Sequence, residues 1–285
     1  MTRKLALLLS LSLALGAAAA PAGGADLRFE LGFGWTLVGP TMNASYVNQY
    51  EPALTPEDRY IASFADQTVR FRGRAALGMN GFFNVLFSES VGIQVLADYH
   101  RPGLGGGNTP YNVQVQFLAF EPETYTNSID WPDSAGNLTE TVFSLNALAR
   151  FPVAERISLL VSAGPSLFNF EGKAGYIGYT FFELALVDEQ YVLSGGTYRM
   201  IVDFGPQTKY GWNAGVEVAF EAFRDAVLGF DLRYYGGPKA PLQMHIVEDE
   251  IITEPLEEIE AAIGLGTLRV DPSYFRAGVS LRFVF

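Results

Sequence analysis

The chain ends in the segment Tyr274-Phe275-Arg276-Ala277-Gly278-Val279-Ser280-Leu281-Arg282-Phe283-Val284-Phe285. Apolar and polar side chains alternate along it. One face carries Phe275, Ala277, Val279, Leu281, Phe283 and Phe285, and the opposite face carries Tyr274, Arg276, Gly278, Ser280 and Arg282. Because successive side chains of a β-strand point to opposite sides, this pattern predicts a strand that separates an apolar environment from a polar one.

Seven further segments alternate in the same way. They are residues 27–37, 69–83, 90–100, 139–151, 157–168, 210–221 and 226–235, which with 274–285 make eight. Each has at least the roughly 9–11 residues that a tilted strand needs to cross a bilayer.

The connections between these segments alternate in length. Residues 84–89, 152–156 and 222–225 are short connections, whereas 38–68, 101–138, 169–209 and 236–272 are long ones. Three short turns and four long loops predict an all-β fold, an eight-stranded antiparallel transmembrane barrel with both ends of the chain on one side.

The terminal phenylalanine, the strand spacing and the short turns resemble the small bacterial outer-membrane barrels of the OmpA, OmpX and OmpW type. This resemblance covers nearly all of the predicted mature chain. It implies that the short turns are periplasmic and that the long loops are extracellular. It also implies outer-membrane lipid as a partner, and a closing strand whose Phe283 and Phe285 are a signal read by the barrel-assembly machinery.

The first residues have the pattern of a secretory signal peptide. Arg3 and Lys4 precede an apolar run, 5–15, which is followed by a row of alanines. We therefore predict a signal peptide at 1–25 and one barrel domain at 26–285, exported through the periplasm. The chain has no cysteine, which excludes a disulfide framework and a thiolate metal site.

Alternation alone leaves open which face points inward, since a soluble lipocalin-like barrel would have its apolar face inside. The polar faces carry arginines and carboxylates in near balance and no lysine, which suits a packed interior where charges pair. Aromatic residues near the strand ends also fit two interfacial girdles. We assign to a charge network in the lumen Arg28, Glu30, Arg70, Arg72, Arg74, Asp98, His100, Glu140, Arg150, Glu217, Glu221, Asp231, Arg233, Arg276 and Arg282.

The net charge of −12 lies mainly in the long loops, most of all in the last one. An acidic rim repels anions, which argues against nucleic acid, and against lipopolysaccharide phosphate unless divalent cations bridge. Residues 248–260 are either a solvated acidic loop, a divalent-cation site or a docking surface. They lack the spacing of a calcium loop, and we predict neither a metal site nor a cofactor.

The third long loop is apolar, and two β-rich runs around Gly195-Gly196 predict a hairpin that extends the fifth and sixth strands. It either packs against the other loops or forms a hydrophobic partner surface.

The sequence favours a barrel that is not an enzyme. Asp98 and His100, with Arg74 opposite, form a conceivable acid/base group, but an interior ion-pair network is the preferred interpretation because no serine is placed as a nucleophile. Two functions stay open. One is a structural or surface-interaction barrel with a plugged lumen, which contacts an extracellular ligand; the alternative is a narrow channel or transporter for small, including hydrophobic, solutes.

Overall fold

The computed structural model describes residues 27–41, 43–48, 53–54, 60–64, 67–107, 109, 111–117, 124–129, 133–175, 180–187, 190–197, 199–223, 225–249 and 268–285. The predicted signal peptide and most of the acidic segment 248–260 lie outside them. No helix among the described residues is long and apolar enough to cross a membrane.

The described part of the chain consists of β-strands. In chain order they are β1 (Arg28–Val38), β2 (Asn43–Asn48), β3 (Ala53–Leu54), β4 (Tyr60–Phe64), β5 (Gln67–Gly73), β6 (Ala76–Leu86), β7 (Val91–His100), β8 (Gly103–Gly106), β9 (Tyr111–Phe117), β10 (Thr124–Ile129), β11 (Ser134–Ala154), β12 (Ile157–Gly175), β13 (Thr180–Val187), β14 (Gln190–Thr197), β15 (Met200–Asp203), β16 (Gln207–Phe223), β17 (Ala226–Gly236), β18 (Ala240–Leu242), β19 (His245–Asp249), β20 (Leu268–Asp271) and β21 (Tyr274–Val284).

Eight of these strands close into a ring. The order is β1-β6-β7-β11-β12-β16-β17-β21, and β21 pairs back onto β1, with every neighbouring pair antiparallel. The predicted eight-stranded antiparallel barrel is therefore confirmed. All eight predicted segments contribute a barrel strand.

The short turns lie at the same end of the barrel as the C-terminus. Residues 87–90, 155–156 and 224–225 link β6 to β7, β11 to β12 and β16 to β17. At this end Phe285 N–H donates to the Phe29 carbonyl oxygen over 2.9 Å, which joins the last residue to the first strand. The long connections all lie at the opposite end.

The barrel is apolar outside and polar inside. Leu77 and Trp35 are 80% and 73% exposed on the outer face, whereas Glu30 and Arg276 inside are 0% and 1% exposed. Water would penalise such an exterior and a bilayer would not, because apolar surface gains by leaving water and buried charges need partners. The barrel is thus built to span a membrane.

At the end away from the short turns the barrel continues into a second set of strands, here called the extracellular extension. From the outer part of β11 the pairing runs through β8, β5, β2, β20 and β18, and from β12 it runs through β15 and β19. Two hydrogen bonds between the side chain of Gln207 and the backbone of Gln243 hold the corner between β18 and β19.

Polarity in the extracellular extension is the reverse of that in the membrane. Its inward side chains form an apolar core that includes Phe71, Leu104, Leu138, Phe170, Met200, Val202, Leu242, Ile246 and Val270. Its outward face carries exposed charges such as Glu171, Lys173 and Glu248. This is the arrangement of a soluble barrel, as expected for strands in water.

The second predicted strand, 69–83, is wrong as a single strand. It comprises β5 and β6, separated by Arg74 and Ala75. Phe71 on β5 points inward to the apolar core, while Leu77 and Met79 on β6 point outward to lipid. At the membrane surface the apolar side chains must change from facing inward to facing outward. Arg74 and Ala75, which belong to no strand, allow this change.

The predicted hairpin in the third loop is present, but its turn was wrongly placed. β13 pairs with β14 from Thr180–Thr197 to Val187–Gln190, so the hairpin closes on the Val187 side and not at Gly195-Gly196. Gly195 and Gly196 lie within β14, opposite Phe182 and Phe181. The hairpin forms its own two-stranded sheet, and β3, β4, β9 and β10 form a separate four-stranded one.

Candidate functional site

The lumen near the short turns is occupied by an inner cluster centred on Glu30. Its Oε2 accepts from Asn84 Nδ2 at 2.9 Å and from Arg282 Nη1 at 3.0 Å, and its Oε1 accepts from Arg150 Nη2. Arg28 Nε lies 3.3 Å from Oε1. One fully buried carboxylate therefore holds three guanidinium groups, with charge-assisted hydrogen bonds from two of them.

Arg282 connects this inner cluster to β16, which is three places from β1 in the ring. Its Nη2 donates to Glu217 Oε1 at 2.7 Å, while Nη1 donates to Glu30, so the guanidinium bridges β1 and β16. The Arg282 guanidinium also lies over the ring of Phe82, 6.0 Å from its centroid. The planar guanidinium donates to two carboxylates on different strands at fixed angles, which the single ammonium group of lysine could not do in this geometry.

The middle of the lumen is filled by a belt of amides and hydroxyls around Arg233. Its Nη2 donates to Ser162 Oγ at 2.7 Å and to Gln94 Oε1 at 3.2 Å, and its Nη1 donates to Asn213 Oδ1. Asn213 in turn donates to Asn146 at 2.8 Å. This buried guanidinium has neutral oxygens as its hydrogen-bond acceptors.

Further out, Asp98 is the centre of an outer cluster. Its Oδ1 accepts from Arg276 Nη1 at 2.8 Å and its Oδ2 accepts from the Tyr235 hydroxyl, while Arg276 Nη2 donates to Asp231. His100 Nε2 lies 3.1 Å from Glu140 Oε2, and both side chains are buried. Asp98 and His100 thus lie in interior pairs, as in the preferred interpretation, whereas Arg74 is exposed at the extracellular extension and does not join them.

An aromatic layer closes the outer end of the lumen. It consists of the buried rings of Phe168, Phe170, Phe204, Tyr235 and Tyr274. Tyr235 lies 6.0 Å from Phe168 and 5.0 Å from Tyr274 between centroids, and Tyr274 meets His100 edge-on at 5.3 Å. Above these rings lies the apolar core of the extracellular extension.

Of the fifteen predicted network residues, the structure places eleven in the lumen. They are Arg28, Glu30, Asp98, His100, Glu140, Arg150, Glu217, Asp231, Arg233, Arg276 and Arg282. They comprise five arginines, five carboxylates and His100, so the two kinds of charge balance. Within the described ranges no group of three or more His, Cys, Asp or Glu side chains could hold a metal ion.

Four predicted network residues lie elsewhere. Arg70, Arg72 and Arg74 are exposed at the extracellular extension, because their segment belongs to or follows β5, whose polar side faces water. Glu221 is exposed at the periplasmic rim, since β16 continues there beyond the buried interior.

The lumen network predicted from the sequence did not include the members of the amide belt or Tyr235. Gln94, Asn146 and Asn213 were visible as inward residues by alternation, but nothing marked them as partners of Arg233. Tyr235 stands on β17 and its acceptor on β7, and the register across a lumen is not encoded in strand periodicity.

The hydrogen-bond ladder between β11 and β12 is interrupted near Pro165. Pairing of β11 with β12 passes from Ser144–Ser166 to Ala147–Ala163, because Pro165 has no N–H to donate. A groove of about 330 Å³ opens there on the lipid-facing side. It is lined by Val95, Phe143, Ser144, Leu145, Pro165, Ser166, Leu167, Tyr210 and Gly211.

No protein-family model matches this chain, and no curated protein matches it by sequence. The outer membrane protein OprG from Pseudomonas aeruginosa is a similar solved structure, 13% identical, covering 92% of this chain and 98% of that chain with a TM-score of 0.43. The outer membrane protease OmpT from Escherichia coli is 8% identical, covering 94% and 99%, with a TM-score of 0.40. Ail, the attachment invasion locus protein of Yersinia pestis, is 11% identical, covering 90% and 98%, with a TM-score of 0.34.

The chain's own geometry decides its class. A closed ring of eight antiparallel strands, an apolar exterior and balanced buried charges make it an integral β-barrel protein of the bacterial outer membrane.

Proposed function

We propose that this protein is a non-conducting, non-catalytic barrel whose role is structural or lies in surface interaction. The observation that carries the proposal is a set of hydrogen bonds that cross the lumen between opposite strands. In the ring of eight, β7 and β17 are four places apart in either direction. Tyr235 on β17 nevertheless donates to Asp98 on β7, and Arg233 donates to Gln94.

These cross-lumen contacts occur at three successive levels. Arg233 joins the opposite strands β17 and β7, while Glu30 with Arg150 joins β1 to β11 and Arg276 joins β21 to β7, pairs of strands three places apart in the ring. The interior of an eight-stranded barrel is just wide enough for side chains, so each level fills the cross-section. The aromatic layer adds an apolar seal, which an ion could pass only by losing its hydration.

The same contacts support a non-catalytic role. Asp98 is held by an arginine and a tyrosine, and His100 is held by Glu140 beneath buried rings. A hydrolytic acid or base must reach its substrate within hydrogen-bond distance, and here each candidate is covered by its own structural partners.

Planar-bilayer recordings of the refolded mature protein test this proposal. We expect insertion without unitary conductance, with insertion verified by heat-modifiable gel mobility of the recovered protein. Stable, reproducible conductance steps would overturn it.

The groove at Pro165 favours a second candidate, a path or store for small hydrophobic solutes. Its lining is almost wholly apolar, yet it includes Ser144 and Ser166, whose hydroxyls lie 2.9 Å apart on the lumen side of the wall. The groove thus reaches from lipid to the edge of the polar interior, where the strand ladder is weakest.

This second candidate is tested by organic extraction and mass spectrometry of protein purified from native membranes. We expect an apolar solute with the wild type and with Val161→Trp, a lipid-facing control outside the groove. Leu145→Trp, which fills the groove, should lose it. The absence of any solute from the wild type, or equal recovery from both variants, would remove this candidate.

A further inference from the structure

The four-stranded sheet of β10, β9, β4 and β3, here called the distal sheet, carries no formal charge. None of the residues in these four strands is Asp, Glu, Lys or Arg. In the whole chain 18% of the residues are charged, and the outward face of the extracellular extension carries charges such as Glu171 and Lys173. The distal sheet therefore differs in chemistry from the water-facing wall of the extension.

The distal sheet is connected to the outer end of the extracellular extension. At the outer end of β5, Thr109 N–H donates to the Thr68 carbonyl oxygen at 3.1 Å, and Thr68 N–H donates to the Thr109 hydroxyl at 2.8 Å. β4 ends at Phe64, just before β5, and β9 begins at Tyr111, just after Thr109. The seven residues of β5 span about 18 Å along the membrane normal for a strand tilted by about 40°. The distal sheet therefore starts well outside the lipid.

One face of the distal sheet presents amides and hydroxyls. Gln114 on β9 pairs with Thr126 on β10, so their side chains stand next to each other. The exposed side chains described on this face are those of Gln114, Gln116, Thr126 and Ser128. Along a strand, residues on one face are about 7 Å apart, so the four side chains form three rows that extend over about 14 Å. They make a flat, neutral array of hydrogen-bonding groups.

The lack of charge on the distal sheet is a liability for an exposed sheet. Charged side chains normally keep such sheets from pairing with other chains. The central strand β9 has high β-propensity and no net charge, and it contains neither proline nor glycine, which is the composition that favours association between strands. A surface that forgoes the protection of charge in this way is explained if charge would interfere with the ligand that it binds.

The chemistry of the array indicates the class of ligand. Each amide and each hydroxyl both donates and accepts hydrogen bonds, and the hydroxyl groups of sugars have the same dual character. A protein partner would instead need aromatic or arginine anchors, whereas serine is depleted in protein interfaces. An anionic ligand would find no cation in these four strands and would be repelled by a chain with a net charge of −12. The array is therefore matched to a neutral carbohydrate.

We propose that the distal sheet binds a neutral polysaccharide outside the cell through Gln114, Gln116, Thr126 and Ser128. This inference rests on the surface-interaction role proposed above and names the chemical class of the partner. Each contact is a hydrogen bond between neutral groups that also bond to water, so a single site binds weakly. Many copies in one membrane bind a repeating chain together, which raises the overall affinity.

The test is a titration followed by saturation-transfer NMR, with the refolded protein in a zwitterionic detergent whose headgroup is not a sugar. The probes are glucan, galactan and mannan hexasaccharides, their sulfated forms, and the polysaccharide released from the lipopolysaccharide of the same cells. We expect saturable binding of at least one neutral hexasaccharide and none of its sulfated form. No binding of any neutral probe, preference for a sulfated one, or tighter binding of the cell's own polysaccharide would overturn the proposal. Conductance in planar bilayers does not enter this titration, so the two proposals fail separately.

Variants that keep side-chain shape assign the binding to the array. Q114M/T126V removes two hydrogen-bonding groups and should bind the neutral hexasaccharide at least about fivefold more weakly, whereas T126S keeps the hydroxyl and should bind within about twofold of the wild type. The matched control N137M/T208V changes an exposed amide and an exposed hydroxyl elsewhere and should also stay within about twofold. Equal losses in the two double variants would overturn the proposal. Sedimentation that shows sugar-free association of the wild type, abolished in Q114M/T126V, would also overturn it by assigning the sheet to a second copy of the chain.

Discussion

Replacing Glu30 by glutamine is the sharpest test of how the lumen is held together. Glu30 is fully buried and is the shared acceptor of Arg150, Arg282 and Asn84, with Arg28 at 3.3 Å. Glutamine has nearly the same shape, so packing is preserved. The substitution removes one negative charge and turns two N–H donors toward guanidinium groups that are themselves donors.

The expected cost follows from these contacts. Removing one partner of a buried ion pair costs about 3–5 kcal/mol, because the remaining charge stays buried without compensation. The amide oxygen of glutamine still accepts one hydrogen bond, and a hydrogen bond to a charged group is worth about 1.5–3 kcal/mol. We therefore expect Glu30→Gln to lower the free energy of unfolding by about 3 kcal/mol, the lower end of the range for a broken buried pair.

The assay is equilibrium unfolding in urea after refolding into phosphocholine bilayers, followed by tryptophan fluorescence and by heat-modifiable gel mobility. The control is Glu221→Gln, which neutralises an exposed carboxylate at the periplasmic rim and should leave the urea midpoint unchanged. Arg150→Met combined with Glu30→Gln removes both charges and should recover part of the loss.

Two results would refute this reasoning. If Glu30→Gln unfolds at the wild-type urea midpoint, the inner cluster does not depend on the Glu30 charge. If the double variant is as unstable as the sum of the two single variants, the two residues are not coupled and the cross-lumen contact contributes nothing.

Three other predictions concern packing, the outer cluster and topology. Gly34→Ala should cost about 1–3 kcal/mol, because its methyl group would overlap a main-chain oxygen of β21. Gly81→Ala should be neutral in the same urea titration, because a methyl group there meets only the Gly32 carbonyl oxygen, at an ordinary contact distance of 3.9 Å. Tyr235→Phe should cost about 1–3 kcal/mol by leaving a buried carboxylate oxygen of β7 without its hydroxyl donor; an unchanged urea midpoint would show that this bond is not needed. Since the chain has no cysteine, Arg72→Cys should react with an impermeant maleimide on intact cells and Glu89→Cys only after the outer membrane is permeabilised; the reverse pattern would invert the topology.

The number of strands and the closure of the barrel could be predicted from the sequence, because period-2 alternation and turn length are local signals. The closing strand shows this well, since the predicted alternation from Tyr274 onward is observed and β21 spans Tyr274–Val284. The break between β5 and β6 at Arg74 and Ala75 could not be predicted from the sequence. Apolar alternation continues through both residues, and only knowledge of where the membrane ends reveals that Phe71 and Leu77 face different solvents.

Part of the lumen network could also be predicted from strand alternation. Alternation places Glu30, Asp98 and Arg276 on inward faces, but it does not say which of them meet. Partner choice depends on shear and on side-chain reach across the barrel, which are properties of the closed ring. The pairing of His100 with Glu140 in place of an arginine, and of Tyr235 with Asp98, therefore required the three-dimensional structure.

The reversal of polarity along β11 and β12 also determines how deeply the protein sits in the bilayer. An outward shift by two residues, about 5 Å along the normal, would lift Phe143 and Leu167 into water, at about 25 cal/mol for each Å² of apolar surface exposed. An inward shift would carry Arg74 and Arg101 toward hydrocarbon, where charges on the outer face of a barrel are penalised. Both displacements cost free energy, so the barrel has one preferred position along the membrane normal. Lipids of a different length must adjust their own thickness around it, because the protein cannot slide to suit them.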